Sequence, residues 1–203
     1  MGSEMCIRDS LETKTGYGLE VEEEARHARL AAAEVDVVTF LGAHLVPKGV
    51  DADDYIETVT GPMLEAALPH VQWADVFCET GAFNEDQSRA VLQACADAGL
   101  GLRVHGNQLG PGPGARLAAE LGAASVDHVN YLSDDDVDLL ADTWGDWDAA
   151  AASGAPGTVA TCLPACDLST RQPLAPGRRL LDAGVEIALA SNCNPGTSYT
   201  TSM

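Results

Sequence analysis

Residues 74–108 read ADVFCETGAFNEDQSRAVLQACADAGLGLRVHGNQ. An apolar run over 74–80 leads to an Asn or Asp cap, then to a helical stretch over 84–99 that stops on glycine. A second apolar run comes next, over 101–108. Two short apolar runs joined by one helix form a strand–helix–strand unit, and such a crossover makes the two strands parallel. Both runs end in residues capable of chemistry: Glu79 closes the first, and His105 with Gln108 closes the second.

The same rhythm extends in both directions. Towards the N-terminus, LETKTGYGLE (11–20) predicts a short strand that ends in a Gly-Tyr-Gly turn. VEEEARHARLAAAE (21–34) predicts a helix, with acids in its first turn where they suit the helix dipole. VDVVTFLGAH (35–44) is a β-branched strand, and a helical region covers about residues 51–68. Towards the C-terminus come the helix ARLAAELG (115–122), the strand SVDHVNY (125–131) and the capped helix SDDDVDLLAD (133–142). A surface loop over 143–157 precedes the strand GTVATCLP (157–164), the helix GRRLLDAG (177–184) and the strand VEIALASN (185–192). Seven strands separated by helices argue for a parallel sheet with helices outside it.

A doubly wound open sheet and a (β/α)8 barrel both satisfy this alternation. No GxGxxG comes after the first strand, and GPGPG at 110–114 lacks the Lys-Ser/Thr of a phosphate loop. The barrel is favoured because polar residues close strand after strand: Tyr17, His44, Glu79, His105 with Gln108, His128, and Asn192 with Asn194. Barrel enzymes build their active sites at that face, from the ends of several strands. A single histidine there is more often structural, but three at equivalent strand ends converge as metal or acid–base chemistry requires. His27 falls on a helix and His70 in a loop, and both are expected at the surface.

Composition narrows the function classes. The 203 residues carry 31 acidic against 11 basic side chains, a formal net charge of −20, which disfavours nucleic acid and anionic membrane surfaces as partners. The hydrophobic fraction of 46% fits a soluble globular chain. No apolar segment approaches the roughly 20 residues of a membrane span, and no secretory leader pattern is present. The six cysteines are scattered, which suggests reduced cytosolic thiols; the Cys162–Cys166 spacing lacks the second pair a cysteine metal site needs. Residues 1–10, MGSEMCIRDS, share no periodicity with the rest of the chain and are expected to be foreign to the domain over 11–203.

The stretches TKTGYGLE, TFLGAHLVP, DVFCETGAFNEDQSRAVLQA, LRVHGNQ, SVDHVNYLSDDDV and IALASNCNPGTSYTTSM, in this order, resemble the imidazolonepropionases. These are metal-dependent amidohydrolases of histidine degradation. The resemblance implies a (β/α)8 barrel with a small β-sandwich built from the two chain ends, of which the seven strands are barrel strands two to eight. It also implies hydrolytic ring opening of 4-imidazolone-5-propanoate to N-formimidoyl-L-glutamate by a metal-activated water. The enzyme so implied is cytoplasmic, acts on a small molecule, binds one divalent zinc or iron, and is able to form a homodimer when intact.

Carried over position by position, the resemblance makes His105 a metal ligand, and Asn192 stands where the family's eighth-strand metal-binding aspartate belongs. Tyr17, His44, Asn194, Gly196 and Thr197 match substrate-holding positions. His128 matches the histidine beside the reacting carbonyl, and Gln108 stands where many relatives carry a catalytic glutamate. The chain departs from the family in two ways. The family's His-x-His metal pair is found nowhere in this sequence, so the chain is expected to be an inactive piece of the enzyme. The amides Gln108 and Asn192 cannot shuttle a proton near neutral pH, and an amide oxygen is a weaker ligand than a carboxylate. The alternative they raise is a catalytically impaired amidohydrolase-like barrel that binds a small imidazole-like or carboxylated ligand.

Overall fold

The computed structural model describes residues 10–148 and 150–201, so nearly all of the N-terminal segment expected to stand apart lies outside the described residues. Seven strands alternate with helices: β1 (Glu12–Lys14), β2 (Val37–Ala43), β3 (Trp73–Cys78), β4 (Gly101–Gly106), β5 (Ser125–His128), β6 (Val159–Cys162) and β7 (Ile187–Leu189). The chain divides into two compact units. The first ends at Phe77 and takes in Asp86–Gly101; the second holds Cys78–Glu85 and the chain from Leu102 onward.

In the first unit β1 pairs with β2, and β2 with β3, all parallel, with Thr13 opposite Val38 and Thr39 opposite Trp73. Strands β2 and β3 are apolar along most of their length because helices cover them: Val38, Phe40 and Val76 are fully buried with Val59, Met63, Val91 and Leu92. Helix α1 (Val21–Ala31) connects β1 to β2, with Glu22, Glu23 and Glu24 in its first turn. The helix expected over 51–68 is broken. It runs as α2 (Ala52–Thr58), capped by the Asp51 carboxylate on the Asp53 N–H at 2.9 Å, and resumes as α3 (Leu64–Ala67). Between them Gly61 leaves helical geometry before Pro62, whose ring cannot continue the backbone ladder. Helix α4 (Glu85–Asp97) completes the crossover after β3.

In the second unit β4, β5, β6 and β7 form a parallel series in which Arg103 faces Ser125, Ser125 faces Val159, and Ala160 faces Ile187. The β4–β5 register sets His105 opposite Asp127 and Gly106 opposite His128. Helices α5 (Gly114–Glu120), α6 (Asp134–Asp142), α7 (Pro164–Thr170) and α8 (Gly177–Asp182) cover it. Ser133 and Asp136 form a reciprocal capping box at the start of α6, as its sequence promised. Helix α7 was not anticipated: the strand signal runs into Leu163-Pro164, and the helix begins on that proline. The described residues of 143–148 and 150–157 form turns and irregular chain with one short bridge between Asp148 and Ser153, and Trp144 Nε1–H donates to the Thr158 carbonyl at 3.1 Å.

One close approach fixes where the β4 rim sits. A Cβ on Gly106 would lie 2.6 Å from the Gly114 Cα, and one on Gly114 would lie 2.5 Å from the Gly106 Cα. The first turn of α5 therefore rests directly on the end of β4. Gly106→Ala is expected to lower stability by about 1–3 kcal/mol, because backbone on both sides must move. Urea denaturation checks this as a reduced midpoint at unchanged slope.

Candidate active site

In the first unit the rim is the β1–α1 loop together with the end of β2. Tyr17 projects from the loop half exposed, its ring edge-on to His44 with centroids 5.1 Å apart. His44 Nδ1 lies 2.9 Å from the Gly16 carbonyl oxygen, and its ring stands 5.8 Å from that of Phe77. The two positions expected to hold substrate here are thus neighbours, and the imidazole is oriented by backbone.

In the second unit β4 and β5 present His105 and His128 side by side, with ring centroids 5.2 Å apart. Both are buried, as is Asp127, whose Oδ2 lies 3.9 Å from His105 Nδ1 while its Oδ1 accepts from Ser125 Oγ at 3.1 Å. At 3.9 Å the carboxylate acts on the imidazole electrostatically rather than through a direct hydrogen bond. An imidazole nitrogen beside a carboxylate is the donor chemistry that a divalent ion such as zinc or iron accepts. These residues fit a metal, although they fill only part of a coordination shell.

The β4 rim continues through Asn107 and Gln108. Asn107 is fully buried and uses its whole amide: Nδ2–H donates to the Gly112 and Tyr131 carbonyls, and Oδ1 accepts from the Ala115 N–H at 2.9 Å. Glu79 Oε1 accepts the Gln108 N–H at 2.5 Å. Burial lifts the Glu79 carboxyl above the ordinary carboxylate range, while the Gln108 and Leu109 N–H groups and the nearness of His105 pull it back down.

After β7 the chain turns through Asn192–Ser198. Asn194 organises this turn: Oδ1 accepts from the Gly196 N–H at 2.8 Å and the Thr197 N–H at 2.7 Å, and Nδ2–H donates to the Asn192 carbonyl at 2.7 Å. Helix α7 braces it. Ser169 donates to the Thr197 carbonyl, and Cys166 Sγ lies 3.5 Å from Thr197 Oγ1 and 3.8 Å from Gln108 Nε2. The thiol therefore joins the β4 rim to the β7 turn. The same helix buries Asp167, whose carboxyl is pushed up by burial against the opposing pull of the Asn130 amide and the Ala175 N–H.

Backbone strain collects at these strand ends. Asn107 (φ 56°), His128 (83°), Val129 (51°) and Asn192 (48°) all adopt left-handed conformations. Asparagine accepts that region through its short polar side chain, but a β-branched valine does not. Strain that persists at His128–Val129 is held by its surroundings, and it is the kind that collects at functional sites.

The sequence-predicted site residues thus fall into two groups, Tyr17 with His44, and His105, Gln108, His128, Asn192, Asn194, Gly196 and Thr197. Asp127, Cys166 and Glu24 were not anticipated, and Glu79 was noted only as a strand end. His27 and His70 are partly exposed, as expected. Cys78, Cys95, Cys162, Cys166 and Cys193 form no disulfide among the described residues, and burial drives Cys95 up to about 12. Among the described residues no helix is long and apolar enough to cross a membrane.

No family model matches the chain. It is 75% identical over 193 residues to the imidazolonepropionase of Paenarthrobacter aurescens, which covers 95% of this chain and 47% of that protein. It is 70% identical over 198 residues to that of Micrococcus luteus, covering 95% and 49%, and 53% identical over 196 residues to that of Mycolicibacterium smegmatis, covering 96% and 46%. The chain spans about half the length of the curated relatives it matches. Among solved structures it resembles guanine deaminase from C. acetobutylicum with bound guanine, with a TM-score of 0.66 at 8% identity, over 94% of this chain and 48% of that one. It also resembles an atrazine chlorohydrolase from Arthrobacter aurescens complexed with zinc and atraton, with a TM-score of 0.58 at 16% identity, over 92% and 46%. These likenesses establish the fold as part of an amidohydrolase-type (β/α)8 barrel.

Proposed function

We propose, for a chain that belongs to the imidazolonepropionase family, that the complete protein opens the ring of 4-imidazolone-5-propanoate with water to give N-formimidoyl-L-glutamate. The 75% identity across 95% of the chain carries this reading. A divalent metal, zinc or iron, would be held here by His105, with Asp127 beside it and Asn192 as a weak neutral oxygen donor. When bound, it supplies the Lewis acidity that makes water nucleophilic near neutral pH.

The chain's own residues perform the remaining work. Asp127 fixes the electrostatic environment of the His105 imidazole, as carboxylates behind metal-binding histidines do. His128, buried next to His105, is placed to donate to the carbonyl oxygen as negative charge develops there. Tyr17 with His44 in the first unit, and the Asn194–Thr197 turn in the second, are each assigned as substrate-holding elements. Gln108, set by Glu79 and Cys166, hydrogen-bonds substrate or water but transfers no proton. We assign a small-molecule substrate and no nucleic-acid or membrane partner, a reading supported by the net charge of −20, which repels polyanions. We also assign the complete enzyme to the cytoplasm, in keeping with cysteines that form no disulfide among the described residues of this chain.

The test is the full-length protein, metal-replete, assayed for disappearance of the imidazolone and appearance of N-formimidoyl-L-glutamate. Turnover that a chelator abolishes and added zinc or iron restores is expected. Metal-replete protein that yields no product overturns the reading.

A further inference from the structure

Glu24 is among the most deeply buried charged residues of the first unit, at 1% exposure, and nothing in the proposed reaction uses it. It stands in the first turn of α1, yet its carboxylate does not cap its own helix. It reaches back to the β1–α1 loop. Oε1 and Oε2 accept the Gly16 N–H at 3.1 and 2.9 Å, and Oε1 also accepts the Gly18 N–H at 2.5 Å and the Leu19 N–H at 3.3 Å. Three backbone amides on both sides of Tyr17 therefore converge on one carboxylate, an arrangement like the concave amide nests that bind anions.

The loop can reach this conformation only with particular residues. Gly16 has φ +113°, and a Cβ there would meet the Leu41 carbonyl oxygen at 2.8 Å. A Cβ on Gly18 would lie 2.7 Å from the Glu24 backbone nitrogen. The Gly16 carbonyl, on the opposite side of the same peptide chain, is held by His44. Glu24 from the helix and His44 from the end of β2 thus clamp the loop between them, and Tyr17 is carried outward at its tip with its ring against His44. Burial, and after it the nearby Glu24 carboxylate, pushes the Tyr55 hydroxyl up to about 12.

We propose that Glu24 is a positioning residue for the substrate rim: its carboxylate gathers the Gly16, Gly18 and Leu19 amides and thereby fixes Tyr17 against His44 in the orientation that receives substrate. The inference rests on the proposed function for what Tyr17 touches, but the clamp itself does not. Hydrogen bonds from backbone amides to a charged acceptor are the strong class, and a glutamine cannot replace this one. Its Nε2 would bring a donor against a donor N–H.

The experiment uses the full-length protein with Glu24→Gln, Tyr17→Ala and the double variant. Glu24→Gln is expected to raise KM roughly tenfold while kcat changes less than about threefold, the signature of lost substrate positioning. In the Tyr17→Ala background the same change is expected to move KM less than about twofold, because Glu24 acts through Tyr17. A merely structural role would give the same KM effect in both backgrounds, and that result overturns the proposal. Gly18→Ala, whose Cβ would meet the Glu24 backbone nitrogen at 2.7 Å and the carboxylate Oε1 at 2.9 Å and so push the loop off its acceptor, is expected to reproduce the KM rise if Glu24→Gln fails to fold. Amide hydrogen exchange is independent of turnover: Gly16, Gly18 and Leu19 should exchange at least about tenfold faster in Glu24→Gln, with β2 amides unchanged. Unchanged exchange at these amides sinks the clamp even in an active enzyme. Faster exchange in a protein without ring-opening activity preserves the clamp and refutes only the assigned reaction.

Discussion

Replacing Asn192 by aspartate in the full-length protein is expected to raise kcat for ring opening by roughly 10²-fold, because it restores a group that can both ligate metal and accept a proton. The substitution exchanges an amide for a carboxylate of nearly the same shape. It also costs the backbone little: Asn192 sits at φ 48°, a region that Asn and Asp both tolerate. The turn beyond it does not depend on the side chain either, since Asn194 Nδ2–H is received by the Asn192 carbonyl. A gain in kcat at matched metal content therefore reports chemistry and not refolding. Equal and rapid turnover by the two proteins would place the base elsewhere and would also eliminate the alternative of a barrel that only binds its ligand. Tight binding of an imidazole carboxylate, with turnover appearing only in the aspartate variant, would instead establish that alternative for the natural chain.

The sequence exposed the alternation of strands and helices because strands buried on both faces read as unbroken apolar runs. Rim residues were legible for a related reason. His105 and His128 interrupt such runs at their last positions, where a buried strand has no need of an imidazole. Glu24 was hidden by its neighbours. In Glu22-Glu23-Glu24 all three acids suit a helix N-terminus, and only the loop folded against α1 distinguishes the third. Its spacing of four from the buried Ala28 is the one signal that could have found it, since both belong to the helix face turned inward. Asp127 was masked by strand alternation in Ser125-Val126-Asp127-His128, where all four residues are buried and period 2 carries no information. Helix α7 escaped because its seven residues are too few to show periodicity, so Cys166 and its link between Gln108 and Thr197 could not be foreseen. The left-handed backbone at His128–Val129 contradicts the preference of valine and is imposed by the tertiary fold.

His105→Ala carries the largest expected effect: loss of bound metal from the full-length protein and a fall in kcat/KM of at least about 10³-fold. His105 lies one residue before the end of β4, in register with Asp127 and with its ring beside that of His128. Asp127→Asn, which keeps the imidazole but removes the charge behind it, is expected to cost the smaller 10–100-fold typical of groups supporting a ligand. If the two residues serve one ion, the penalties overlap, and the double variant should be no worse than His105→Ala alone. Metal content by elemental analysis, measured with kcat/KM on the same samples, decides the matter. A His105→Ala protein that retains both metal and activity would remove His105 from the centre. Multiplicative losses in the double variant would mean that Asp127 acts on something other than the histidine it faces.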